Sequence, residues 1–446
     1  MKHSSSNLSF AAGGLLAGLL AGLIPASSVV AADLMQVYRE SLVNDAQYVT
    51  ARATLEAGRE KLPQGLAGLL PTLGATASTT RNDNVYNGIN RSFNSNGYNV
   101  NLTQPLFRWQ NYVQYGQSKL LVVQSEANFA QAKQDLILRV AQAYFDVLNA
   151  EENLRAVQAN KTAIVQQLEQ AKKNFEVGTA TITDTHEAQS RYDLAGAQEI
   201  AAESDLEIKR FALRVIVGKD AGELNRLKAQ ATLAPPQPVG MEQWVDASEK
   251  NSFAVQAQQA AAEFTDKEVE RNRAGHYPTL DAVANIGESN AGASQLGSSR
   301  LEATTRNLGL QLNIPIYQGG LINSKVREAL ANRDVALSSL ESAKRSAALS
   351  TRQSYLGVVN GLAQVRALEA ALVSSRSALE SNKLGYEVGV RINIDVLNAE
   401  QQLYSTQRDL AKARFDTLLA QLKLKAAVGS LGEDDLQQVN VLFEAK

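Results

Sequence analysis

The chain contains one pattern of turn residues twice, about 210 positions apart. Residues 175–178 read Phe-Glu-Val-Gly and residues 386–389 read Tyr-Glu-Val-Gly, an offset of 211 (386 − 175). The Val-Gly pairs at 217–218 and 428–429 are separated by the same number of positions. Because the best matches fall at turns rather than along helices, they indicate duplication of a whole structural unit rather than a short motif.

The first 32 residues have the layout of a secretory signal peptide. Lys2 precedes an apolar run over 10–24, and Pro25 and small residues at 30–32 follow. The run is shorter than the roughly 20 residues that a membrane-spanning helix needs, and we expect no spanning helix later in the chain. Any insertion into a membrane is therefore expected to use β-strands.

Composition favours one elongated body after this leader. The two repeats divide the chain into 33–235 and 236–446, and nine prolines without a long Gly/Ser linker leave few places for separate domains. A net charge of −2 provides no basic stripe, so nucleic acid is not expected as a partner. With three histidines and no cysteine, a metal centre or nucleophilic site is hard to build. Neither an enzyme nor a cofactor is expected.

Four long helices are predicted, at about 111–174, 183–217, 321–385 and 394–427. The longest would reach about 90 Å at 1.5 Å per residue. Apolar residues from Leu136 to Phe175 follow alternating steps of four and three, broken only at Lys161, which is the heptad spacing of coiled coils. Abundant alanine and serine off this seam favour helices with neighbours on both sides, as in a tube wall. A simple two-stranded coiled coil is the alternative.

Four amphipathic strands are predicted, at about 71–82, 97–107, 278–288 and 306–316. Each alternates apolar with uncharged polar residues, which is the lipid-out, water-in period of an outer-membrane barrel. A soluble sandwich core has the same alternation, and the long flanking helices favour the barrel. Segments 81–96 and 287–304, rich in Asn, Ser and Gly, are predicted to be exposed loops. Because four strands cannot close a barrel, several copies are expected to share one.

The chain resembles the TolC-type outer-membrane efflux and secretion channels over essentially its whole mature length. The resemblance rests on the two repeats, on prolines that bracket the strand pairs, and most specifically on residues 386–397 (YEVGVRINIDVL) with their counterpart at 175–184. It implies a mainly α-helical fold with a β membrane part. Three copies would form a 12-stranded barrel, four strands per chain, continuous with a periplasmic tunnel of 12 helical columns.

The resemblance also implies partners and a function. The homotrimer would sit in outer-membrane lipid as a passive exit duct of an efflux pump or a type I secretion system. A periplasmic adaptor and an inner-membrane transporter, proton-driven or of the ABC type, would open it and supply energy, since the chain has no phosphate-binding loop. A soluble periplasmic coiled-coil adaptor or scaffold is the alternative, but it leaves the four strands unexplained.

Glycines mark the turn between the long helices of each half. Gly178 and Gly389 follow the predicted helix ends, where a positive φ costs glycine little. Thr181 and Asp184 have the spacing of a capping box, and Asn393 is predicted to cap the last long helix. The resemblance implies that these turns contact the adaptor through Val177, Gly178, Thr179, Val388, Gly389 and Val390. A role as simple helix stops is the alternative.

By resemblance, the same tip carries an aperture. Three copies of Asp395 would make a carboxylate ring that favours cations. The family often has a second aspartate one turn later, where this chain has Asn398, so weaker cation selectivity and weaker block by multivalent cations are expected. The alternative for Asp395 is stabilisation of the first helical turn through the helix dipole.

The resemblance further implies a gate that holds the aperture closed. In the family, the positions matching Tyr386 and Arg391 tether the inner hairpin to those matching Gln167, Thr183 and Asp184. We predict that Asp184 accepts a hydrogen bond from Tyr386 or Arg391. Breaking this tether would let the helices untwist.

Overall fold

The computed structural model describes residues 32–228, 230–292 and 300–444. The predicted signal peptide lies almost wholly outside the described residues. The described elements are α1 (Leu34–Asn44), α2 (Ala46–Arg59), α3 (Lys61–Ala67), β1 (Thr72–Tyr86), β2 (Ile89–Phe107), α4 (Trp109–Glu176), α5 (Ile182–Val217), α6 (Met241–Asn251), α7 (Phe253–Arg273), β3 (Thr279–Ala291), β4 (Leu301–Asn313), α8 (Leu321–Glu387), α9 (Asn393–Ala427) and α10 (Glu433–Asn440).

The four strands form one antiparallel sheet in the order β1-β2-β3-β4. Directly opposed residues lie on the same face of a sheet. One row across the four strands consists of Leu73, Leu102, Ala284 and Leu308. The adjacent row, on the opposite face, consists of Gly74, Asn101, Asn285 and Asn307. Over these rows one face of the sheet is apolar and the other polar, as the alternation predicted, whereas nearer the hairpin turns the apolar face also carries Arg306 and Glu288.

The strands are longer than the sequence pattern predicted, and the predicted loop at 81–96 is wrong. β1 and β2 pair without interruption as far as a two-residue turn at Asn87 and Gly88, whose φ angles are 51° and 80°. Asn-Gly with two positive φ angles matches the type I′ turn, whose twist suits a hairpin. Ladder hydrogen bonds use backbone groups, so polar side chains facing water on both sides do not interrupt the strand. In the second pair the strands likewise extend further, to Ala291 and from Leu301.

Each strand is continuous with a helix, so the helices follow the lateral order of the strands. α3 leads into β1, β2 into α4, α7 into β3, and β4 into α8. Helices α2 and α3 pack on α4, α4 packs on α7, and α7 on α8. At the junction, Arg108 donates two hydrogen bonds, of 2.7 and 2.6 Å, to the buried carboxylate of Asp281. This pair ties the end of β2 to the start of β3.

Below the sheet, two helical hairpins lie side by side. We call α4 with α5 the first hairpin and α8 with α9 the second; α9 also packs on α4. The 68 residues of α4 span about 100 Å. Most of the predicted seam from Leu136 to Ala171 is buried, whereas Phe175 is exposed. Helix α9 buries two stripes, one that includes Leu397, Leu418 and Leu422 and a second that consists of Leu403, Leu410, Thr417 and Leu424. Helices with two buried stripes exclude the simple two-stranded coiled coil.

The largest apolar core lies at mid-length, and we call the short segments around it the girdle (32–38, 224–227 and 431–443). They pack against α4, the end of α5 and α9. Ala32 pairs with Leu224 and Leu227 with Phe443 as single β-bridges. The Phe443 ring stacks on Phe145 of α4, with ring centroids 6.0 Å apart. These segments therefore brace the middle of the long helices.

Helix α8 departs from the expectation that no later segment is apolar enough to cross a membrane. By length and composition alone, an 18-residue window within it qualifies, with a mean hydropathy of 1.3. Only 11% of that window is buried within the chain. A long helix with so much exposed apolar surface needs a further covering.

Candidate functional site at the helical tip

The two turns at the far end of the hairpins have the same backbone geometry. Gly178 and Gly389 adopt φ angles of +78° and +77°. The amide of Thr179 donates to the carbonyl of Asn174, and that of Val390 donates to Gly385, both at 2.8 Å. These wide turns satisfy helix-end carbonyls in the way that a left-handed glycine allows. The predicted glycine helix stops are confirmed.

One of the two predicted helix caps is confirmed and the other is wrong. Asp184 and Thr181 form a reciprocal capping box at the start of α5, with the Thr181 amide 2.9 Å from the Asp184 carboxylate. Helix α9 begins at Asn393 itself, and its N-cap residue is Ile392, which has an extended backbone. A cap at Asn393 would require the helix to begin one residue later. Asn393 is buried instead, and its Oδ1 has no hydrogen-bond partner.

A cleft of about 360 Å³ separates the two turns. It is lined by Gln170, Asn174, Thr179, Ala180, Asp184, Tyr386, Glu387, Gly389, Arg391, Ile392 and Asn393. The structure therefore brings Asp184, Tyr386 and Arg391 of one chain to the same small space. Both hairpins contribute to the walls, so the cleft would change shape if the hairpins moved apart.

The hydrogen bond across this cleft is not the predicted one. Asn174 donates to the Tyr386 hydroxyl at 3.2 Å, and Arg391, in the turn, lies 3.5 Å from the carboxylate of Asp395 in the first turn of α9. Asp184 is engaged by its capping partner Thr181. The prediction that Asp184 accepts from Tyr386 or Arg391 is therefore wrong for contacts within one chain.

Asn174 could have been found from helical periodicity. It lies seven residues, or two turns, after Gln167, on the same face of α4. Gln167 itself is half-buried, and its Oε1 has no hydrogen-bond partner, while Thr183 is exposed in the first turn of α5. The contact with Tyr386 is therefore made at Asn174, one heptad nearer the turn than the expected contact at Gln167.

A second contact between the hairpins lies one to two turns further from the tip, and sequence reasoning missed it. Arg191 of α5 donates to the Gln401 Oε1 at 2.7 Å and to the Asn398 Oδ1 at 3.0 Å, both on α9. Glu187 of the same helix lies 4.0 Å away. Asn398 is therefore an acceptor for an arginine.

Two ion pairs lie near the tip. Glu400 of α9, 2% exposed, accepts from Lys383 of α8 at 2.9 Å. Burial raises the pKa of the nearby Tyr404 hydroxyl, and the negative charge of the Glu400 carboxylate raises it further. In the first hairpin, Lys161 contacts Glu199 at 2.5 Å, and this hydrogen bond raises the pKa of the Lys161 ammonium and lowers the pKa of the Glu199 carboxyl. The break at Lys161 in the heptad seam is thus a polar link from α4 to α5.

Within residues 32–228, 230–292 and 300–444, no group of three or more His, Cys, Asp or Glu side chains is arranged to hold a metal ion. The tip offers paired charges, amides and a hydroxyl, together with glycine turns. Such groups can hold two helices together and release them, and this is the chemistry the site supports.

A sheet with an apolar face, continuous with helices about 100 Å long, defines the class of the protein as an outer-membrane channel. The family model described as "Outer membrane efflux protein" matches residues 37–219 and 244–430. The chain belongs to this family. It is an exit duct of the outer membrane, and a soluble periplasmic adaptor or scaffold is not supported.

Several known proteins are similar to the chain over nearly its full length. The outer membrane protein TolC of Escherichia coli is 34% identical, covering 92% of this chain and 85% of that protein. TolC of Vibrio cholerae is 32% identical, covering 93% and 94%. The alkaline protease secretion protein AprF of Pseudomonas aeruginosa is 31% identical, covering 93% and 88%.

Solved structures share the fold at lower identity. The outer membrane protein VceC of Vibrio cholerae matches with a TM-score of 0.75 at 19% identity, covering 89% of this chain and 96% of that chain. The CmeC outer membrane channel of Campylobacter jejuni matches with a TM-score of 0.77 at 18% identity, covering 92% and 90%.

Proposed function

We propose that three copies of the chain close a 12-stranded barrel continuous with a tunnel of 12 helical columns. The observation that carries this proposal is the sheet itself. β1 and β4 each pair with one strand among the described residues, so the sheet has two open edges. On β4, Leu308, Leu310 and Leu312 are 87, 70 and 60% exposed. Open edges need partners, and an apolar face needs lipid.

Helix α8 supports the same assembly. Val335, Leu349 and Val373 are each more than half exposed along its length. α8 continues from the edge strand β4, so it is the outermost of the helices in the lateral order. In a closed ring, the α2 and α3 side of a neighbouring copy would cover it.

The tip turns are the proposed docking site for a periplasmic adaptor. Val177, Val388 and Val390 are 72, 65 and 78% exposed at the end of the hairpins. Apolar side chains on rigid glycine turns offer a small hydrophobic surface to a partner. An inner-membrane transporter, proton-driven or ATP-driven, would supply the energy. The cargo of the duct would be small molecules, secreted polypeptides or both.

We propose that the tip is also the gate. The hydrogen bond from Asn174 to Tyr386 joins the hairpins at the cleft, and Asp395 with Arg391 lies beside it. In a trimer, Asp395 would line the aperture as a ring. Separation of the hairpins would break the Asn174 contact and widen the ring. The bond is weak enough, at about 0.5–1.5 kcal/mol for a neutral pair, to yield to adaptor binding.

Single-channel conductance in planar bilayers tests this proposal. Wild-type protein should give a small, cation-selective conductance, and the Tyr386→Phe/Arg391→Ser variant a much larger one. Arg376→Ser, an exposed residue of α8 away from the tip, is the control and should behave as wild type. Absence of conductance from all three would reject the duct, and equal large conductances would reject the gate. Native mass spectrometry should show three chains per particle; a monomer would reject the shared barrel.

A further inference from the structure

Arg191 makes a forked contact between the two hairpins. Its two terminal nitrogens donate to two different side chains of α9, Gln401 at 2.7 Å and Asn398 at 3.0 Å. These acceptors are three residues apart, so they lie on one face of α9 and match the planar fork of a guanidinium. A single lysine ammonium would not hold both in the same way.

The contact lies where it can restrain opening. Ile164 of α4, Ala195 of α5 and Leu397 of α9 pack together beside it, so three helices meet at this level. Arg191 reaches from α5 to α9 over this packed cluster. Any movement of the second hairpin away from the first would pull Asn398 and Gln401 away from the guanidinium.

The contact also adds charge near the aperture. Asn398 and Gln401 lie three and six residues after Asp395, which is about 4.5 and 9 Å along the helix axis. The guanidinium that binds both therefore lies one to two turns beyond Asp395 along α9, and this axial separation is shorter than the Debye length of about 10 Å at 0.1 M salt. Glu187, 4.0 Å from Arg191, offsets part of this charge only.

We propose that Arg191 is a second restraint on the periplasmic aperture and that it sets the ion preference of the aperture. This inference rests on the proposed gate and extends it. The guanidinium holds the second hairpin through two neutral amide oxygens, and it places a positive charge at the level where a carboxylate would otherwise strengthen the cation ring. The closed tip then has two restraints in series along the hairpins, at Asn174 and at Arg191.

Three variants separate the restraint from the charge. Arg191→Lys keeps the charge and loses the fork, Asn398→Ala/Gln401→Ala removes the acceptors, and Arg191→Gln removes charge and fork together. A charge-assisted hydrogen bond of ordinary strength corresponds to roughly a tenfold change in an equilibrium constant. Because both acceptors are exposed, we expect the open fraction to rise about 3- to 10-fold in all three variants.

The ion preference should change only where the charge is lost. Arg191→Gln should raise the permeability ratio of K⁺ to Cl⁻ about twofold at 0.1 M salt, and less at 1 M because of screening. Arg191→Lys and the double alanine variant should keep the wild-type ratio. An unchanged ratio in Arg191→Gln overturns the electrostatic part of the proposal.

Arg210→Gln is the matched control. Arg210 lies on the same helix and binds Glu151 of α4 at 3.0 Å, within the first hairpin rather than across to the second. Its loss removes an arginine and an ion pair but no contact between the hairpins. An open fraction in Arg191→Gln no greater than in Arg210→Gln overturns the restraint.

A distance measurement keeps this test independent of conduction. The sequence has no cysteine, so cysteines placed at exposed Ser190 on α5 and Gln402 on α9 can be spin-labelled specifically. In Arg191→Gln the inter-hairpin distance should lengthen or broaden relative to wild type and Arg210→Gln, and an identical distribution overturns the restraint. If wild type and the Tyr386→Phe/Arg391→Ser variant never conduct, the proposed duct fails while this distance still decides the role of Arg191.

Discussion

Replacement of Lys383 by methionine should destabilise the second hairpin. Lys383 on α8 donates at 2.9 Å to the carboxylate of Glu400 on α9. The Lys383 side chain is 47% exposed, whereas that of Glu400 is 2% exposed and its Oε2 has no hydrogen-bond partner. Methionine keeps the aliphatic packing of lysine but removes the charge. The variant therefore leaves a buried carboxylate without its counter-ion.

The structure bounds the size of the effect. Removal of one partner of a buried ion pair costs about 3–5 kcal/mol, and access of water through the exposed lysine site reduces that. We expect a loss of about 2–3.5 kcal/mol at pH 7.

Hydrogen exchange measured by mass spectrometry, on peptides from α8 and α9 around this pair, would detect the change. A loss of 2–3.5 kcal/mol corresponds to roughly a 30- to 400-fold decrease in protection, after correction for intrinsic exchange. Lys412→Met is the control, because Lys412 and Asp416 are both about 60% exposed and such pairs contribute about 0.5 kcal/mol or less. Equal protection in the two variants at pH 7 would refute the reasoning.

Three further predictions concern the tip and the first hairpin. Gly178→Ala places a Cβ on a backbone with φ of +78° and should lower the stability of the turn by about 1–2 kcal/mol in thermal unfolding; wild-type stability would show that the turn tolerates side chains. Asn398→Asp should raise cation selectivity and block by trivalent cations, and more so in an Arg191→Gln background, where the new carboxylate has no guanidinium partner; additive effects would contradict this. The loss of stability in Glu199→Gln should have its full size between about pH 4.3 and 10.4. Below this window the Lys161 contact is lost as pH falls through the lowered pKa of Glu199, and above it as pH rises through the raised pKa of Lys161, so a pH-independent difference would refute the assignment.

Much of the fold is encoded locally and could be predicted from sequence. The helix α4 runs from Trp109 to Glu176, where 111–174 was predicted, because proline before it and glycine after it leave few other ends. The hairpin turn at Asn87 and Gly88 was missed, since Asn and Ser on both faces of a strand resemble a loop in composition. Strand length there is set by the pairing partner, which a composition argument does not consider.

The tip shows the same division between local and non-local information. The capping box of Thr181 and Asp184 involves residues three positions apart, so its spacing sufficed to predict it. The contacts of Tyr386 and Arg191 join residues more than 200 positions apart. They depend on the vertical register of one hairpin against the other, and a shift of one heptad replaces the expected partner by another polar residue on the same face.

The distribution of apolar and polar contacts along the hairpins favours opening at the tip over movement of the whole duct. At mid-length the girdle joins α4, α5 and α9 through one continuous apolar core that includes stacked Phe145 and Phe443. Toward the tip the apolar clusters shrink to three or four residues, and the hydrogen bonds of Asn174 and Arg191 add to them in joining the hairpins. The dispersion energy of core packing falls steeply as the packed side chains move apart. Exposed hydrogen bonds between side chains, in contrast, are readily replaced by hydrogen bonds to water. We therefore expect the girdle to act as a fixed collar about which the hairpin ends move. Weakening the collar by Phe443→Ala should destabilise the whole protein by about 3–5 kcal/mol without selectively opening the tip, and a selective rise in conductance in that variant would argue against a hinge at the girdle.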